Sequence, residues 1–87
     1  MHRLLAALLF CFVAGDLSGA ASARYFGGYR CINDCKEHAA GFRSAARRRV
    51  LTPKDCESNS PSFSEGCRVY LRDRMRDPSR DDNGGRI

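Results

Sequence analysis

The apolar positions change their period along the chain, and each change marks a different element. Leu4 to Val13 form an unbroken apolar run behind the positive start of His2 and Arg3. From Cys35 onward, Cys35, Ala39, Phe42, Ala46 and Val50 return every three or four residues, which puts them on one face of a helix. Asp34 stands at the N-cap of that helix, with Glu37 placed to reach back, and Pro53 ends it near Val50. A second stripe of Phe63, Cys67, Tyr70 and Leu71 predicts another helix. Its start is open between Ser60 followed by Pro61 and a capping box of Ser62 with Glu65.

The segments around these stripes read differently. Arg24 to Arg30, with Tyr25, Phe26, Gly27, Gly28 and Tyr29, suits an irregular arm laid over a small core. From Arg72 the chain alternates Arg and Asp with no hydrophobic period, so residues 73–87 are expected to form a disordered, self-neutralising tail. The expected architecture is all-α, a two-helix hairpin over residues 24–72. A chain of this size is expected to need disulfides, a metal or a partner to hold its fold.

The ten-residue apolar run followed by Ala21-Ser22-Ala23 has the form of an export signal over residues 1–23, giving a mature chain that begins at Arg24. The run is too short for a membrane span, which needs about 20 residues. Phe10, ahead of Cys11, is too large for a lipoprotein site, so Cys11 is expected to leave with the signal. The remaining cysteines, Cys31, Cys35, Cys56 and Cys67, are even in number, as expected for two disulfides in an exported chain. Three pairings are open. An antiparallel hairpin favours Cys35 with Cys67 and Cys31 with Cys56, because the start of one helix lies beside the end of the other. Cys31 with Cys67 and Cys35 with Cys56 ranks second, and Cys31 with Cys35 and Cys56 with Cys67 last.

Composition narrows the function classes. The chain has 87 residues, 15 Lys and Arg against 10 Asp and Glu, a net charge of +5 and no Trp. Lys36, Arg43 and Arg47 recur at seven- and four-residue steps beside the apolar face, and Arg48 extends the cluster with Arg49. They are the candidate anion-binding residues, and they also complement the helix dipole. In an exported protein the corresponding partner is an anionic surface or polymer, engaged by a monomer that does not span the membrane. His38, one turn after Cys35, is expected at the edge of the apolar face, hydrogen-bonded to backbone or loop. No spacing specifies a nucleophile with its base, so no enzyme is expected, and no cofactor. The first two cysteines lack the Cys-x-x-Cys spacing of a redox pair. The alternatives are a metal-binding protein holding zinc or copper with His38 and the cysteines, or a small secreted toxin or inhibitor.

Asp34-Cys35-Lys36-Glu37-His38-Ala39-Ala40-Gly41-Phe42 and Ser62-Phe63-Ser64-Glu65-Gly66-Cys67-Arg68-Val69-Tyr70 resemble paired segments of a group of small, uncharacterised bacterial proteins. That group carries Asp-Cys-x-x-His-x-Ala-Gly-aromatic followed by Ser-Phe-x-Glu-Gly-Cys-x-x-aromatic. The resemblance spans roughly Cys31 to Tyr70. It departs where the group tends to place an aromatic before the alanine that follows the first motif, since Ser44 precedes Ala45 here. It implies an exported or periplasmic, helical, cysteine-stapled bacterial domain and no activity. It also makes Asp34, His38, Gly41, Phe42, Phe63, Glu65, Gly66 and Tyr70 candidates for a shared structural role.

Overall fold

The computed structural model describes residues 23–87; the expected export signal lies outside them except for Ala23. In chain order they form β1 (Tyr25–Phe26), β2 (Tyr29–Arg30), α1 (Lys36–Arg48), a short 3₁₀ helix (Pro53–Cys56) and α2 (Pro61–Arg72). The helical hairpin is the expected one.

The ends of both helices have local causes. Asp34 Oδ1 accepts the Lys36 amide at 2.8 Å, so the turn closes one residue later than expected, with Cys35 in the cap position. At the other end Arg49 takes a left-handed conformation, φ 56° and ψ 50°. Its amide donates to the Ala46 carbonyl at 3.2 Å and the Val50 amide to the Ala45 carbonyl at 3.1 Å. This Schellman closure ends α1 at Arg48, ahead of Pro53, and buries Val50 next to Ala45. For α2 the choice falls on the earlier start, with Ser60 Oγ accepting the Phe63 amide at 3.1 Å and Pro61 in the first turn.

The buried faces differ from the expected stripes in one register step. Ala45 is fully buried and Ala46 exposed, and His38 is at 0% exposure rather than at the edge of the face. The cause is the crossing of the helices. A Cβ on Gly41 would collide with the Phe63 carbonyl of α2, and a Cβ on Gly66 would collide with the His38 carbonyl of α1. Each glycine therefore receives the backbone of the other helix, three residues before the other's glycine. The crossing rolls α1 toward the line His38, Gly41, Ala45. Phe42 packs edge-on against Tyr70, ring centroids 5.5 Å apart.

The disulfides pair Cys31 with Cys35 and Cys56 with Cys67, Cα atoms 5.1 and 5.4 Å apart. The favoured pairing of Cys35 with Cys67 and Cys31 with Cys56 is thus corrected. Cys67 lies mid-helix in α2, beside Gly66 at the crossing, instead of at the end that faces the start of α1. The 3₁₀ helix begun by Pro53 turns the connection back along α2 and delivers Cys56 to Cys67. Cys31 is left to close the short turn before α1. Both bridges are local, and no covalent bond joins the first helix to the second except the chain itself.

Two further expectations are corrected. The arm is not irregular: Tyr25 pairs with Arg30 and Phe26 with Tyr29 across Gly27 and Gly28, whose φ values of 59° and 89° suit a tight hairpin turn. Residues 73–87 are not disordered. They fold back onto this hairpin, with Ile87 donating its amide to the Ser79 carbonyl at 2.9 Å and packing against the core.

Tryptic digestion without reduction is expected to release residues 31–36 and 55–68 as separate peptides, each two hydrogens lighter than its reduced form. A disulfide-linked pair of these peptides in the mass spectrum contradicts the pairing. Gly41→Ala and Gly66→Ala are each expected to lower the unfolding free energy by about 1–3 kcal/mol through overpacking, measured by denaturant titration, although alanine is the better helix former.

Candidate functional site

The solvent side of α1 carries the basic stripe. At 100° per residue Lys36, Arg43 and Arg47 fall within an arc of about 40°, and all three are exposed. Lys36 and Arg47 make no ion pair among the described residues. Arg48 is turned aside, its Nε donating to Ser44 Oγ at 3.1 Å. Arg43 adds to the field that holds the Asp77 carboxyl below its ordinary value, after the hydrogen bonds from the Ser79 hydroxyl and amide and the charge of Arg80.

The paired motifs meet on the other side of α1. His38 Nε2 lies 2.7 Å from Glu65 Oε1. A carboxylate only accepts, which assigns the proton to Nε2. The partner is thus a side chain of the second helix rather than the backbone or loop expected. Among the described residues His38 Nδ1 is enclosed without a partner. Phe26 and Tyr29 of the hairpin cover the ring at centroid distances of 5.9 and 6.4 Å. With both ring nitrogens covered, His38 is an interhelical tie. Gly41, Gly66 and Phe63 form the crossing, Phe42 and Tyr70 the aromatic core, and Asp34 the first turn of α1. The sulfurs that would have joined His38 in a metal site are bonded to one another.

The C-terminal segment straps the hairpin down over His38. Asp82 accepts the Gly27 amide at 2.7 Å on Oδ1 and the Gly28 amide at 2.8 Å on Oδ2, while its own amide donates to the Tyr25 carbonyl at 2.8 Å. Arg76 spans the same site: Nη1 donates to Asp82 Oδ1 at 2.9 Å, Nη2 to the Arg80 carbonyl at 2.8 Å, and its guanidinium lies 3.8 Å from the Phe26 ring centre. Asp81, buried, accepts the Asn83 and Gly85 amides and faces Arg24 at 3.5 Å. Burial disfavours the Asp82 charge, but the amides of Gly28 and Gly27 and the Arg76 guanidinium outweigh it, so its carboxyl sits below the usual 3.8.

One feature of the surface was not among the sequence candidates. A groove of about 220 Å³ opens between the hairpin, the 3₁₀ helix and α2, lined by Tyr29, Pro53, Arg68, Leu71 and Arg72. The spacing of Arg68, Leu71 and Arg72 places them together on α2, but Leu71 reads as a core residue until the hairpin and Pro53 are known to stand apart above it.

No family model matches the chain, and neither the curated proteins nor the solved structures contain a significant match. Among the described residues no group of three or more His, Cys, Asp or Glu side chains is arranged to hold a metal ion, and no helix is long and apolar enough to cross a membrane.

The strap is expected to loosen in acid. Because the folded value of Asp82 lies below the unfolded one, its contribution is complete above about pH 3.8 and is lost as pH falls through the folded value. The Gly27 and Gly28 amide resonances should follow that titration in the wild type and not in Asp82→Asn. The same low-pH titration in the variant would contradict the assignment.

Proposed function

We propose that the chain is an exported, non-enzymatic binding module that engages an anionic partner through the solvent face of α1. The observation that carries this reading is the alignment of Lys36, Arg43 and Arg47 on one exposed stripe of a chain with net charge +5. Aligned cations focus the potential of a surface in a way that scattered ones do not. Two local disulfides in a small helical module are typical of exported proteins and support the address that the apolar run and Ala21-Ser22-Ala23 suggest. A rigid helix presents the stripe, because the opposite face of α1 is locked by the glycine crossing. The resemblance of the paired motifs to small exported bacterial proteins is consistent with this reading, and those motifs serve the scaffold beneath the stripe.

Binding is expected to weaken steeply with salt, since exposed charges are screened within about 8 Å at physiological ionic strength. Chromatography on immobilised heparin, used as an acidic polymer, tests the face. Arg43→Gln with Arg47→Gln should elute at clearly lower salt than the wild type. Lys54→Gln with Arg86→Gln removes the same charge elsewhere and should elute later than the first pair. Equal elution of the two double variants would assign the binding to net charge and sink the proposed face.

A further inference from the structure

The groove between the hairpin, the 3₁₀ helix and α2 lies outside the basic stripe, and its chemistry is different. Its lining is mostly apolar, with Tyr29 from the hairpin, Pro53 from the 3₁₀ helix and Leu71 from α2. Two guanidiniums one helical turn apart stand at its rim. The Arg68 guanidinium makes no ion pair among the described residues. Arg72 is held in place, Nη2 donating to the Gly27 carbonyl at 2.8 Å and its guanidinium 5.5 Å from the Tyr29 ring centre. That carbonyl fixes its position without neutralising its charge. An apolar slot flanked by two uncompensated cations complements a ligand with one apolar group between carboxylates.

Size and composition separate the occupants. At about 220 Å³ the groove is smaller than the 300–1,000 Å³ of typical small-molecule pockets and is open to solvent. It takes a single side chain. Tyr and Arg around an apolar slot are also the residues that anchor protein interfaces. Leu51, two residues ahead of Pro53, is 73% exposed and adds apolar surface to the same connection.

We propose that this groove docks an acidic segment of a partner polypeptide, which inserts one apolar side chain over Leu71 and sets its carboxylates on Arg68 and Arg72. The contact is independent of the α1 stripe, and either can fail without the other.

The test is a chemical-shift titration of the isotope-labelled, disulfide-bonded chain with a short blocked peptide carrying a central Leu flanked by Glu. Shifts are expected at Tyr29, Arg68, Leu71 and Arg72 and should saturate. Peptides with Ser in place of Leu, or Gln in place of Glu, should bind about tenfold more weakly, and so should Arg68→Glu and Arg68→Gln. Unchanged backbone shifts elsewhere in the variants report that the fold is intact. Equal binding of the Ser peptide, shifts confined to Lys36, Arg43 and Arg47, or no shifts would each overturn the proposal. Hexanoate binding as tightly as the Leu peptide would also overturn it, and would give the groove to a small amphipathic anion.

Discussion

Two missing side chains set the geometry of the molecule. Gly41 and Gly66 let each helix rest on the backbone of the other, at the carbonyls of Phe63 and His38. Backbone contact at this distance brings many side chains into dispersion range at once, and close packing is the main resource of so short a chain. The disulfides do not replace it. Each closes a loop within its own half, stiffening the turn before α1 and the connection onto α2. What joins the two helices is the packing at the crossing, together with the His38–Glu65 contact beside it, while the strap ties the segment after α2 to the N-terminal hairpin.

From that crossing the other layers follow. Rolling α1 toward Gly41 turns the His38 ring away from water and toward the hairpin, where Phe26 and Tyr29 cover it. The hairpin has only two residues per strand and would not hold alone. It is held by the strap, in which the two amides of its own turn bind Asp82 and the Arg76 guanidinium sits on Phe26. The same roll leaves Lys36, Arg43 and Arg47 facing solvent. The hairpin standing over one flank of α2 and the 3₁₀ helix over the other leave the groove above Leu71 between them.

Much of this was legible in the chain, for reasons that differ by element. Three- and four-residue spacing locates both helices because burial of one face is a local property of a helix. The Ser60-Pro61 start and the even number of cysteines after residue 23 are likewise local chemistry. Ala45 rather than Ala46, the full burial of His38, and the pairing of Cys56 with Cys67 depend on where the helices cross, which Gly41 and Gly66 decide together. The tail reads as disordered because its composition is polar and periodic structure is absent. Its order comes from Asp82, which holds backbone groups of Tyr25, Gly27 and Gly28 more than 50 residues earlier in the chain, and from Arg76, which braces Asp82 and sits on the Phe26 ring. The groove is harder still, since it is a gap between three elements and no single stripe of residues marks it.

The crossing itself is open to direct measurement in solution. In a nuclear Overhauser spectrum of the oxidised protein, the α-protons of Gly41 should show cross-peaks to the α-proton of Phe63, and those of Gly66 to the α-proton of His38. Both sets present would place the two backbones against each other as described. Their absence, with the helices still formed, would contradict the crossing and with it the account of His38, the hairpin and the strap.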